Sequence, residues 1–389
     1  MPVETLSFKG RFGDISAKLH TPPGPISAYA IFAHCFTCSK DLKAVVRIAE
    51  ALEKKSIAVL RFDFAGLGRS AGDFSDTSFS SNVEDLVTAA AFLKKEYRAP
   101  EILIGHSLGG AAVLSAAPSM DSIKAVVTIG APAEAQHVEH LFDSSKAEIE
   151  KCGVAQVSIG GRPFSIRKEF LDDLREQSVL KRISEMQKAL LVCHAPRDQI
   201  VGIENAQAIF IAAKHPKSFL SLDNADHLLS RSADAEYVAE NIGAWVGKFV
   251  EPPSMADKGE VVVTTLGSGF ASSVVTDSHR LRADEPTDVG GTHTGPSPYG
   301  YLLGALGACT GMTLKMYAER KKLSVKKIVV RLTHKKVERE SKKVDVIERS
   351  INLEGELTEE VRERMLQIAD MCPVHKTLHG EVDVESRLV

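Results

Sequence analysis

Between Ala28 and about Asp223 the chain alternates short apolar runs with helix-length spacers, and no other feature restricts its fold as strongly. The runs are Ala28–Ala33, Ile57–Phe64, Ile102–Gly105, Ala125–Gly130, Leu190–His194 and Phe219–Leu222. Runs that are apolar at nearly every position are buried on both faces, which calls for a parallel sheet with helices on either side. The expected fold is therefore α/β, built on a doubly wound sheet. Ahead of it, Thr5–Gly10 and Asp14–Thr21 flank Arg11-Phe12-Gly13 and predict an antiparallel hairpin on the sheet edge. From Pro132 to about Met186 the strand rhythm lapses for longer than a plain loop usually runs, so residues of about 132–186 are expected to form a helical cap.

A second pattern begins after Phe249-Val250-Glu251-Pro252-Pro253, whose adjacent prolines end the helix that contains Trp245. This places one domain at 1–250, a linker at 251–258 and a smaller domain at 259–389. The smaller domain opens with strand-like runs at Val261–Leu266, Ala271–Thr276 and His279–Ala283. An apolar helix (Tyr299–Lys322), two alternating strands (Val325–Lys335 and Val344–Leu353), a helix (Glu359–Met371) and a last strand (Glu381–Leu388) follow. Strands grouped around two helices predict an α+β unit.

Composition narrows the function. A formal net charge of −3 gives no electrostatic reason to expect nucleic acid or an anionic membrane as partner. The basic and acidic residues of Lys335–Lys343 are mixed in sign and read as a solvated hairpin turn. No apolar run approaches the ~20 residues that span a bilayer. The start, Met1-Pro2-Val3-Glu4-Thr5, lacks the pattern of a secretion signal, so a cytoplasmic location with free thiols is expected for the six cysteines.

The most specific motif is Gly105-His106-Ser107-Leu108-Gly109-Gly110, directly after a buried strand and before an Ala-rich helix. Small residues two positions either side of a serine permit the sharp strand-to-helix turn that exposes a nucleophilic Oγ. Such a serine needs a base and an orienting acid, supplied later in the chain in the order acid, then histidine. Asp198 in Ala195-Pro196-Arg197-Asp198 and His227 in Ala225-Asp226-His227 each follow a strand and fill those roles. Asp223 and Asp226 are the other carboxylates in reach. Asp226 adjoins the histidine in sequence, which points its side chain elsewhere.

The developing oxyanion requires donors, and the Leu108 amide at the new helix's N-terminus is one. The second is expected from the loop His34-Cys35-Phe36-Thr37-Cys38, at the Phe36 amide. Cys35 and Cys38 have the spacing of zinc or redox pairs, but this domain holds no second pair for zinc. Packing around the loop is the preferred reading, with no metal. His34 and His106 are expected to hydrogen-bond to loop backbone, and Asp63-Phe64-Ala65-Gly66-Leu67-Gly68-Arg69-Ser70 to form a turn.

Together the Gly-His-Ser-Leu-Gly-Gly elbow, the Asp-Phe-Ala-Gly-Leu-Gly-Arg-Ser turn and the late Ala-Asp-His resemble the α/β-hydrolase superfamily over about residues 1–250. The resemblance implies a serine hydrolase with a variable cap, acting on esters or related acyl compounds. Cys35 departs from it, standing where a glycine usually follows the histidine.

In the second domain, Cys309 lies in an apolar helix and Cys372 precedes Pro373, where helix amides lower a thiol pKa. Gly295-Pro296-Ser297-Pro298-Tyr299, Leu306-Gly307-Ala308-Cys309-Thr310 and Cys372-Pro373-Val374-His375 resemble the OsmC/Ohr family over about residues 256–389. That resemblance implies an intertwined homodimer in which Cys309 attacks a hydroperoxide and Cys372 closes a disulfide. The family's glutamate, about ten positions before the first cysteine, is absent. Glu285 and Asp288 are the nearest upstream carboxylates, and Arg280, Arg282 or Arg320 are the candidate cations.

The function expected is a carboxylesterase for small to medium acyl esters, needing no cofactor, dimerised by its OsmC-like domain. The alternative is a thiol-dependent organic hydroperoxide peroxidase acting through Cys309 and Cys372, with an accessory hydrolase domain.

Overall fold

The computed structural model describes residues 3–159, 161–252, 254–265, 269–339 and 342–388. The chain divides into two compact units, Met1–Ser268 with Ser273–Arg280, and Gly269–Ser272 with Leu281–Val389. The division falls after the expected 251–258 linker, in which Pro253 lies outside the described residues.

In the first unit β1 (Val3–Gly10), β2 (Gly13–His20), β3 (Ala28–Ala33), β4 (Ile57–Phe62), β5 (Ile102–His106), β6 (Ala125–Ile129), β9 (Ala189–His194) and β10 (Lys217–Ser221) form one sheet. Their spatial order is β1-β2-β4-β3-β5-β6-β9-β10. The β1–β2 hairpin pairs antiparallel with the edge at β4, and the remaining neighbours pair parallel. Along β5 the side chains alternate between two cores, Leu103 in one and Ile102 and Ile104 in the other. This double burial is why the runs are apolar at nearly every position. Helices α1 (Lys43–Glu53) and α8 (Ser232–Val246) cover one face with Ile48, Leu52, Val238 and Ile242. On the other lie α2 (Phe79–Glu96) and α3 (Leu108–Ala116), with Leu86, Leu93 and Val113.

The cap contains α4 (Lys146–Cys152), α5 (Lys168–Glu176) and α6 (Val179–Glu185). It also holds an antiparallel pair that the expectation of helices omitted, β7 (Val154–Ile159) and β8 (Arg162–Arg167). Along β7 the residues alternate exposed and buried, with Ala155, Val157 and Ile159 inward, so the period-2 signal was present but short. Gly160 at its turn lies outside the described residues. α7 (Ile203–Ala212) links β9 to β10.

Further along come the strands β11 (Val262–Thr265), β12 (Ser272–Val275) and β13 (Arg280–Ala283), while Leu266, expected to end the first of them, is not among the described residues. The second unit carries α9 (Pro298–Arg320), the long antiparallel pair β14 (Val325–Arg339) and β15 (Lys342–Gly355), α10 (Glu359–Ala369) and α11 (Pro373–His379). Residues 340 and 341, at the charged turn, are outside the description. The strand expected at Glu381–Leu388 does not form: Val382 and Val384 alternate as a strand would but are 59% and 83% exposed. An alternating run becomes a strand only where a neighbour accepts its hydrogen bonds. Among the described residues no helix is long and apolar enough to cross a membrane.

Candidate active site

Ser107 occupies the turn between β5 and α3 at φ 55°, ψ −126°, a backbone region costly for any side chain-bearing residue. The flanking glycines make the turn sterically feasible. A Cβ at Gly105 would lie 2.3 Å from the Gly109 carbonyl oxygen, and one at Gly109 would lie 2.4 Å from that of His34. The Ser107 N–H donates to the Ile129 carbonyl at 2.9 Å, tying the elbow to β6.

Asp198 follows β9, and its Oδ2 lies 2.7 Å from His227 Nδ1. Its Oδ1 accepts the Ile200 and Val201 amides at 2.8 and 3.0 Å. Burial alone would raise this carboxyl; the His227 hydrogen bond and the amides outweigh it and hold it below the usual carboxylate range. The other two carboxylates are engaged elsewhere, Asp226 accepting the Ser230 amide at 2.9 Å and Asp223 the Ser221 hydroxyl at 3.0 Å.

His106 Nε2–H donates to the His227 carbonyl at 2.7 Å, and the two rings lie 5.1 Å apart, so the residue before Ser107 fixes the His227 loop. Burial pushes the His106 imidazole down to about 4, which keeps it neutral and a donor at physiological pH. His34 Nδ1–H donates to the Cys35 carbonyl at 2.8 Å while Nε2 accepts the Phe64 amide at 3.4 Å. Both histidines thus serve loop backbone, as expected.

A small pocket bordered by His34, Cys35, Phe36, Leu108 and Gly109 brings the Phe36 and Leu108 segments to one space. The Phe36 ring stacks on Phe170 of α5 at 5.8 Å and meets Phe74 edge-on at 5.6 Å. Here the structure corrects the expectation of free thiols packed around the loop: Cys35 and Cys38 form a disulfide. Their Cα atoms are 5.4 Å apart because Cys38 N–H closes a tight turn onto the Cys35 carbonyl, and that separation suits a disulfide.

One partner of this loop escaped the sequence reading. Asp63, at the end of β4, accepts both the Lys40 backbone amide (2.6 Å) and the Lys40 ammonium, anchoring the loop's far end. Its own carboxylate also accepts the Arg69 amide at 2.9 Å, and a Cβ at Gly68 would strike it at 2.3 Å. The spaced glycines of that turn were the available signal.

In the second unit Cys372 is fully buried at the start of α11, and Cys309 is half-buried on α9 beside Thr310. The Cys372 Sγ accepts the His375 amide at 3.3 Å and lies 3.7 Å from Thr310 Oγ1. Burial raises this thiol, yet the His375 amide, Thr310, the Cys309 thiol and the Arg349 charge together bring it below its ordinary value. Arg349 on β15, not considered from sequence, donates to Thr310 Oγ1 at 2.9 Å and to Asp370 at 2.6 Å. Asp370, rather than Glu285 or Asp288, is the carboxylate on this arginine. Arg320 instead lies over the Tyr317 ring. Arg349 comes from an element distant in sequence, so spacing could not reveal it.

A family model described as serine aminopeptidase, S33, matches residues 38–153, and one described as OsmC-like protein matches residues 291–387. The crystal structure of the esterase domain from a Rhodothermus marinus protein is 48% identical, covering 64% of this chain and 99% of that one, with a TM-score of 0.54. Est1E from Butyrivibrio proteoclasticus, solved with ferulic acid bound, is 20% identical over 63% of this chain and 98% of that one, with a TM-score of 0.53; this is a likeness of fold. A mitochondrial palmitoyl-protein thioesterase of Rattus norvegicus, ABHD10, is 24% identical over 231 residues, 56% of this chain and 75% of that protein.

Proposed function

Because the chain belongs to the α/β serine hydrolases of the esterase type and carries an OsmC-like domain after them, we propose that it is a carboxylesterase working through Ser107, His227 and Asp198. The observation that carries this reading is the 2.7 Å Asp198–His227 contact, on a loop that His106 ties to the elbow of Ser107. Ser107 Oγ attacks the acyl carbonyl while His227 takes its proton. Asp198, held ionised, keeps the imidazole in the tautomer that can do so and stabilises the imidazolium. The Phe36 and Leu108 amides receive the oxyanion, each contributing about 3 kcal/mol to the transition state by analogy with other oxyanion donors. His227 then protonates the leaving alcohol and activates the water that releases the acid. The substrate is a small to medium acyl ester bound beneath the cap, and the rat relative's name places thioesters on the panel to be assayed beside oxygen esters. Hydrolysis of short p-nitrophenyl esters by wild type and by a Ser107→Ala variant tests the reading.

The homodimer is proposed through the second unit. Among its described residues the buried apolar cluster holds Leu314, Ala318, Leu353, Met365, Ile368 and Ala369, little for a unit of this length. Helix α9 buries one stripe and leaves Met312 and Met316 66% and 70% exposed. A long two-stranded ladder also needs further cover to be stable. A second copy of the same surface supplies it. Met312→Glu/Met316→Glu is expected to convert the protein from dimer to monomer in sedimentation; a wild-type chain that sediments as a monomer removes the proposal.

A second reading, thiol-dependent reduction of organic hydroperoxides by Cys309 and Cys372, is favoured by the setting of the Cys372 thiol, which the His375 amide, Thr310, the Cys309 thiol and the Arg349 charge together lower against its burial. One thiolate takes an oxygen from the peroxide and releases the alcohol. The other thiol displaces water and closes the disulfide, which an external dithiol then reduces. The groups that favour a thiolate gather on Cys372. Because Cys372 is fully buried, iodoacetamide reaches it only in molecules that open, and its alkylation is expected to rise with pH through a single midpoint set by the thiolate. In Arg349→Met the pH midpoint of that reaction moves upward; an unmoved midpoint contradicts a role for Arg349.

A further inference from the structure

Cys35 and Cys38 stand on either side of Phe36 and Thr37, and their bond closes the turn that presents the Phe36 N–H. Resting on the reading of that N–H as an oxyanion donor, we propose that Cys35–Cys38 is a thiol–disulfide exchange site that takes a dithiol as co-substrate and sets the turnover number of the hydrolase.

The turn is held against its backbone preference. Thr37, a β-branched residue, has φ 61°, a left-handed conformation that persists only when neighbouring constraints impose it. Two constraints are visible, the disulfide and the Arg162 guanidinium of β8, which donates to the Thr37 carbonyl. Outside the turn the backbone is fixed independently. His34 bonds to the Cys35 carbonyl and the Phe64 amide on one side, and Lys40 is pinned to Asp63 on the other. Opening the disulfide therefore removes one of the two constraints on Thr37 and leaves the rest of the domain in place. The Phe36 ring, between Phe170 of the cap and Phe74, transmits that release to the pocket.

Access favours one sulfur. Cys35 is 4% exposed, whereas Cys38 is half-buried. A thiolate of the dithiol attacks Cys38 Sγ and forms a mixed disulfide, while the Cys35–Cys38 bond breaks and Cys35 leaves with the electron pair and takes up a proton. The dithiol's second thiolate attacks its own sulfur in the mixed disulfide, and Cys38 departs as a thiolate and is protonated. Two electrons and two protons pass to the protein, and the dithiol becomes a disulfide. With Thr37 free to leave the left-handed region, the Phe36 N–H loses its aim. Loss of one oxyanion donor lowers kcat by about 10²–10³-fold, and partial loss by less, while KM changes little because the donor acts in the transition state.

The test uses the full-length protein, oxidised with diamide or treated with graded dithiothreitol. Ester hydrolysis is measured beside mass-spectrometric counting of alkylated Cys35 and Cys38. The expected result is a fall in kcat of about tenfold or more that tracks the appearance of the two thiols, with recovery on reoxidation. The Cys35→Ser/Cys38→Ser chain stays at the low rate under both conditions. Thiols that appear with kcat unchanged, a pair that diamide cannot join, or a fall in kcat without opening of this pair each overturn the proposal. Ser107→Ala, assayed alongside, separates the two layers. If that variant keeps full activity the hydrolase reading fails with the proposal, whereas Ser107-dependent hydrolysis indifferent to the disulfide overturns the exchange site alone.

Discussion

Replacing Ser107 by alanine is expected to lower kcat on short esters by about 10⁴–10⁶-fold and to leave KM within a few-fold of wild type. On the proposed mechanism, loss of the Oγ removes the covalent route, whereas the cap still binds ester. The residual rate is then that of a bound ester and water, above the uncatalysed reaction because oxyanion donors still act. The substitution also replaces one small residue by another at φ 55°, so the strain of the elbow is retained and the fold should be unaffected. Equal thermal unfolding of the two proteins, with a steady-state rate of the mutant near that of wild type, would show that another nucleophile carries the reaction.

Asp198→Asn is expected to cost about 10⁴-fold in kcat. The amide can keep the His227 contact at 2.7 Å, but as a donor toward Nδ1 it selects the tautomer with its proton on Nε2. That imidazole cannot accept the Ser107 proton. Asn at 198 also loses the charge that the Ile200 and Val201 amides and His227 now stabilise. Asp223→Asn and Asp226→Asn, whose carboxylates serve Ser221 and Ser230, should remain within about threefold of wild type. A large loss at Asp226 with none at Asp198 would reassign the acid.

The geometry of the candidate site at Ser107 was legible because a sharp strand-to-helix turn imposes local steric rules. Two glycines must flank a serine in a strand-to-helix turn, and at Gly105 and Gly109 a Cβ would meet backbone at under 2.5 Å. The strands were legible because both faces of the sheet are buried, which leaves β3, β5 and β6 apolar at nearly every position. Partners recruited across the fold were not. Arg349 reaches Thr310 and Asp370 from β15, and Asp63 reaches Lys40 from β4, and no spacing in the chain encodes either meeting. The Cys35–Cys38 bond shows the limit at short range: packing was the preferred reading of C-x-x-C, and the tight turn that brings the two Cα atoms to 5.4 Å was not legible from the spacing. At 381–388 the reverse held, where alternation predicted a strand that is not formed among the described residues.

The central claim, that Ser107 is the activated nucleophile of an esterase, is tested most directly by exposing wild-type protein to a fluorophosphonate and locating the adduct by peptide mass spectrometry. The account predicts one phosphonyl group per chain on the peptide containing Ser107, formed in step with the loss of ester hydrolysis. Hydrolysis that survives complete modification of Ser107, or is lost with the adduct on a different residue, would contradict it.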